Sequence, residues 1–151
     1  MSLSRSQLRS WVRMVRGMKA LFDALDRQMR EESGMSHEDY ILLTRLYRES
    51  DRSMRMSELA AELSHSPSRT SHTIARLEER GWVERARGAT DRRVVVARLS
   101  ESGEAKLHEA SPAHLALVER LVFESLGDKG VAEAADAMDQ IRKAAGDSEI
   151  A

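Results

Sequence analysis

Apolar side chains recur at Leu8, Trp11, Val15, Met18, Phe22, Leu25 and Met29 in strict alternation of three and four residues. That spacing holds one stripe in register along a helix for about three heptads. It predicts helix from about Gln7 to Glu32, with Arg9, Arg13, Arg16, Lys19, Arg27 and Arg30 on the opposite face and Ser33-Gly34 as the stop. Ser36 reads as the next N-cap, and Asp39 completes a capping-box pattern. Ile41, Leu42, Leu43, Leu46 and Tyr47 give the second helix its apolar side, before a polar break at Asp51-Arg52-Ser53. Ser57 to Leu63 predicts a short third helix that buries Leu59, Ala60 and Leu63.

Ser64-His65-Ser66 reads as a turn, and Ser66-Pro67 as a helix start: an N-cap serine followed by proline at the first helical position. That fourth helix is predicted to reach Arg80, bury Ile74 and Leu77, and stop at Gly81. Trp82–Arg85 and Val94–Leu99 are the two strand-like runs, and the basic connection Ala86–Arg93 makes them a hairpin with a long tip. Ser100 caps a helix predicted to run from about Glu101 to Leu126, with Pro112 inside it. Gly127-Asp128 breaks the chain, and Val131, Ala135, Met138, Ile141 and Ala145 stripe a last helix. The expected fold is mainly α: a winged helix-turn-helix with a small β-hairpin wing, flanked by N- and C-terminal dimerisation helices. Its three segments are 1–50, 51–100 and 101–151.

The net charge of −1 suits a nucleic-acid partner only once it is divided along the chain. Residues 65–100 hold eight arginines against four acids, whereas residues 101–151 hold five basic against 11 acidic side chains. Positive charge therefore gathers where the turn, the fourth helix and the hairpin fall. The absence of cysteine excludes disulfides and thiolate metal sites. The first residues, Met1-Ser2-Leu3-Ser4-Arg5, lack a signal-peptide core, and no apolar run reaches the roughly 18 to 20 residues of a membrane span. A cytoplasmic protein without a membrane partner is expected.

The core stripe of the fourth helix leaves Ser68, Arg69, Ser71, His72 and Arg76 to point outward. Hydroxyls and guanidinium groups there suit base edges and phosphates. Arg85, Arg87, Arg92 and Arg93 crowd the hairpin, a placement that fits phosphate contact or insertion into a narrow minor groove. Asp91 repels phosphate, so its expected work is to orient a neighbouring arginine. The bland alternatives are a solvated polar helix face and a solvated charge run.

Leu59 through Gly103 resembles the MarR family of bacterial winged-helix regulators. The resemblance is carried by Ser57-Glu58-Leu59-Ala60, by Ile74-Ala75-Arg76-Leu77-Glu78-Glu79-Arg80-Gly81-Trp82-Val83, by Asp91-Arg92-Arg93 and by Leu99-Ser100-Glu101-Ser102-Gly103. It implies a homodimer whose terminal helices interlock and whose two lobes bind a pseudo-palindromic site on double-stranded DNA. It also implies Arg93 as the minor-groove residue, Asp91 as its positioning partner, and Ser66, Ser68, Arg69, Ser71 and His72 at the exposed start of the recognition helix. Thr70 departs from the apolar residue usual there, and His72 from the frequent arginine.

Leu8, Trp11 and Val15, with Leu115, Val118, Leu121, Val122, Met138 and Ile141, offer more apolar surface than one small lobe covers, so they are the expected dimerisation residues. A cleft for a small aromatic or phenolic effector is a further implication of the resemblance. Trp11, Met14, Met18, Tyr40, Tyr47 and Arg45 are its candidate lining, although such stripes are more often core. The five histidines include no pair spaced i, i+4, so no metal site is expected. Neither a phosphate loop nor a nucleophile elbow occurs, and neither an enzyme nor a cofactor is expected. The expected function is a DNA-binding transcriptional regulator, more readily a repressor than an activator. A winged-helix protein-interaction module and a nonspecific architectural DNA binder remain the alternatives.

Overall fold

Ser4 and Gln7 open the first helix with a reciprocal capping box: the Ser4 hydroxyl accepts from the Gln7 N–H, and the Gln7 side chain accepts from the Ser4 N–H. In the computed structural model, which describes residues 2–88, 91 and 93–146, this helix α1 spans Arg5–Ser33 and ends at Gly34, whose φ of 66° is left-handed. Ser36 caps α2 (His37–Arg48) with Asp39 as its reciprocal partner, as the sequence predicts.

The break after α2 holds an element the sequence did not announce. Ser53–Arg55 forms a short strand, β1, paired antiparallel with the later strand β3 (Val95–Leu99) so that Met54 faces Ala97. Asp51 prepares its entry by accepting the Ser53 N–H and hydroxyl, and Arg52 turns the chain at a φ of 57°. The expectation of only two strand-like runs is thus corrected. Three residues with one apolar side chain carry no periodicity, and the strand exists because the edge of β3 supplies its hydrogen bonds.

Helix α3 (Met56–Glu62) leads through a turn to α4 (Pro67–Glu79). Strand β2 (Val83–Arg87) then pairs with β3, giving the sheet order β1-β3-β2. Helix α5 runs from Glu101 to Val118, followed by a π-helical turn at Glu119–Phe123 and by α6 (Glu124–Ala144). Gly127, with φ 68° and ψ 165°, interrupts α6 where the glycine predicted a break. One continuous core joins Met29, Met35, Leu42, Leu43, Leu46, Leu59, Ile74, Leu77, Val83, Ala97, Leu99 and Leu107 across all three sequence segments. Among the described residues no helix is long and apolar enough to cross a membrane.

The signature Leu99 to Gly103 has a mechanical reading. Ser100 and Ser102 both donate to the Gly81 carbonyl, at 2.6 and 2.5 Å, and the Ser100 N–H bonds to the Trp82 carbonyl. The start of α5 is thereby clipped onto the turn after α4. Gly103 lies so close that a Cβ there would sit 2.0 Å from the Trp82 carbonyl oxygen. Gly103→Ala is expected to cost about 1–3 kcal/mol by overpacking against rigid backbone. Urea unfolding measures that cost, and an unchanged midpoint would refute the clip.

Candidate nucleic-acid interface

Helix α4 owes its position to local chemistry at its start. Ser64 takes a φ of 51°, the His65 N–H bonds back to the Ala60 carbonyl, and the Ser66 hydroxyl accepts from the Arg69 N–H at 3.2 Å with Pro67 as the first helical residue. Thr70, Thr73, Ile74 and Leu77 form the buried side. Thr70 stands in for an apolar residue because its hydroxyl donates to the Ser66 carbonyl at 3.3 Å, which meets its polar need inside the helix. Ser66, Ser68, Arg69, Ser71 and His72 all lie exposed at the start and outer face of the helix, where the sequence placed them.

Arg76 differs from its expected outward placement. Its guanidinium forks onto Asp39 of α2 at 2.8 and 2.6 Å, and the Asp39 side chain is fully buried. Burial works to raise the Asp39 carboxyl. The bonds from Arg76 and Ser36 outweigh it and hold the group below the usual carboxylate value. Arg76 is therefore an internal brace between α2 and α4. The expectation failed because helical spacing puts residue 76 on the same side as Arg69, and the partner that draws it inward, Asp39, lies on another helix.

Glu38, the neighbour of Asp39, makes a second tether that sequence reasoning missed. One oxygen lies 2.9 Å from His65 Nε2 in the turn and 3.0 Å from an Arg69 Nη2 on the outer face of α4. No single-helix pattern signals a contact of this kind.

On the wing, Arg85 bonds to Glu78 at 2.7 Å and to the Ser71 carbonyl at 2.8 Å, which ties β2 to α4. Arg87 ends β2 opposite Val95 and is exposed. Asp91 accepts the Arg93 backbone N–H at 2.9 Å, while its own carbonyl accepts from Val94. The carboxylate thus shapes the turn that carries Arg93, by a bond to its backbone. Arg93 is exposed, and Arg92 lies outside the described residues.

The effector candidates are dispersed. Tyr40 is buried, with its hydroxyl on Ser111 and its ring 4.4 Å from that of His114, whereas Arg45 reaches Glu62 of α3. Tyr47 packs under the Arg52 guanidinium and against His108. Trp11 is exposed on α1, and Met14 and Met18 are partly covered there. The fold does bring together His37 and His114, with ring centroids 5.3 Å apart. Burial holds both imidazoles below their ordinary value, against Asp26 for His37 and reinforced by His37 for His114. Among the described residues no three metal-ligating side chains share a site.

A short brace helix, a proline-started outer helix and a stranded wing define a winged helix-turn-helix protein. A MarR family profile matches residues 33–94. The whole chain resembles Sco3205 of Streptomyces coelicolor, a MarR family transcriptional regulator solved in complex with DNA, at 32% identity and a TM-score of 0.91, covering 95% of this chain and 90% of that one. AbsC of the same organism, also a MarR family transcriptional regulator, gives a TM-score of 0.91 at 28% identity over 98% and 99% of the two chains. The transcriptional repressor MprA of Escherichia coli K12 is 31% identical over 85 residues, 56% of this chain and 48% of that protein. The match thus spans about half the length of that curated relative. The chain belongs to the MarR family of transcriptional regulators.

Proposed function

We propose that the protein is a homodimeric repressor that binds a pseudo-palindromic promoter site. In this reading α4 enters the major groove, and Arg93 reaches the flanking backbone or minor groove. One observation carries it: Ser68, Arg69, Ser71 and His72 of α4 and Arg87 and Arg93 of the wing are exposed, while α1, α5 and α6 keep bare apolar faces. Leu115 is 60% exposed, Trp11 52% and Ile141 49%. The single chain exposes 10465 Å², whereas a compact monomer of this mass would expose about 7,700 Å². The excess is of the size an obligate dimer covers. Helix α6 has its main contacts with the π turn alone and stands off the lobe, as an arm that embraces a second copy would. Two-fold symmetry of the protein then calls for two half-sites about one helical turn apart. The relative solved with DNA supports the choice of duplex DNA over an acidic protein as the wing's partner.

Fluorescence polarisation against the promoter upstream of its own gene and against a random duplex tests the assignment. Arg93→Ala is expected to lose about 1–3 kcal/mol of promoter binding. Equal affinity of wild type and variant would remove the wing from the interface, and equal affinity for both duplexes would point to an architectural binder.

A further inference from the structure

Arg69 is the first arginine on the outer face of α4, yet its guanidinium is already held by Glu38 at 3.0 Å. Glu38 does not hang free. It sits in the first turn of α2, whose start is fixed by the Ser36–Asp39 capping box, and its carboxylate is also engaged by the largely buried His65. The adjacent Asp39 grips Arg76 two turns further along α4. The clamp geometry is therefore set by packed elements, and Arg69 keeps 60% of its side chain exposed while bound in it.

A guanidinium paired with a carboxylate attracts phosphate less than a free one, because the field of the carboxylate cancels part of its charge and repels the incoming anion. Non-specific binding depends almost wholly on such charges. We propose that Glu38 is a specificity-determining residue that withholds Arg69 from phosphates at large and releases it only when α4 is fully seated in its own site. This rests on the reading of α4 as the recognition helix. By lowering affinity for every wrong duplex, the clamp widens the margin between operator and random DNA, a specificity gained from a repulsive element and not from a new contact.

The test is a double-mutant cycle on the full-length protein, comparing Glu38→Gln and Arg69→Ala singly and together. Glutamine keeps an acceptor for His65 but removes the charge. Binding is measured on a random duplex across a salt series, and on a duplex selected from a random pool by the wild-type protein. Glu38→Gln is expected to bind the random duplex roughly fivefold tighter at low salt, with a salt slope steeper by about one released counterion. The gain on the selected duplex is expected to be smaller. In the Arg69→Ala background the same substitution is expected to change neither affinity nor slope. An equal gain in both backgrounds would overturn the proposal, because a general loss of negative charge would then suffice. Weaker binding by Glu38→Gln, with native helical content by circular dichroism, would overturn it too and make Glu38 a simple brace. If the wild type selects a duplex and the cycle shows no coupling, the clamp fails while the recognition-helix reading stands. Wild-type protein that binds no duplex would remove both.

Discussion

Placing Leu115→Glu and Ile141→Asp in one chain is expected to leave a folded protein that does not form the proposed dimer. Both side chains project from bare helical faces, and neither belongs to the core that joins Met29 to Leu107. In an isologous interface each substitution appears twice, so four carboxylates would enter one apolar contact without partners. An unpaired buried charge costs several kcal/mol, and each 1.4 kcal/mol is a factor of ten in the association constant. The dimer dissociation constant should therefore rise by at least about a hundredfold. Sedimentation at micromolar concentration should report the monomer mass, and promoter affinity should fall by a similar factor, because a monomer presents only one α4. Native dimer mass with undiminished DNA binding would end the dimer model. Point charges are a cleaner test than removal of residues 1–32, because Leu25 and Met29 at the end of α1 are buried in the lobe and their loss would damage its core.

How much of this could be read from the chain divides by the range of the forces involved. Ser36, Ser66-Pro67, Gly34, Gly81 and Gly127 act within a few residues of themselves, so the caps and breaks that they predict are those that form. The exposed set Ser66, Ser68, Arg69, Ser71 and His72 was legible for the same reason, since one helix with a defined buried stripe fixes its opposite face. What escaped depends on a second element. Strand β1 is made by β3, more than one helix later in the chain. Arg76 and Arg69 look alike on a helical wheel, but only α2 decides that one grips a buried carboxylate and the other a partly exposed one. Arg85 reads as a wing cation until Glu78 claims it. His37 and His114 fail every spacing test within one helix and meet only because α2 packs on α5. In each case composition gave the charge, and tertiary contact gave the direction in which it points.

Arg76→Ala is expected to show whether the α2–α4 brace matters to stability, through its dependence on pH. Near neutrality the variant strands the Asp39 carboxylate, which has no exposed side-chain surface and keeps only the bonds offered by Ser36. Breaking a buried pair in this way costs about 3–5 kcal/mol, and relaxation around a partly exposed arginine places the expected loss at about 2–4 kcal/mol. The sign with pH then follows. In the wild type the Asp39 carboxyl lies below its ordinary value, so its stabilisation is fully present above the unfolded value near 4 and is lost as pH falls through the lower folded value. In the variant burial acts without Arg76 to oppose it, the carboxyl moves up, and protonation relieves the stranded charge. The stability gap between wild type and Arg76→Ala, measured by urea unfolding, should therefore be widest at pH 7 and narrow as pH falls through the variant's raised value and then, below pH 4, through the wild type's lowered one. A gap that stays constant over that range would mean that Arg76 stabilises through packing of its alkyl stem and not through its charge. Asp39→Leu combined with Arg76→Leu separates stability from recognition. An apolar pair of similar volume should restore most of the lost stability, whereas the directional fork that sets the angle of α4 against α2 would be gone, so promoter affinity should recover less than stability does.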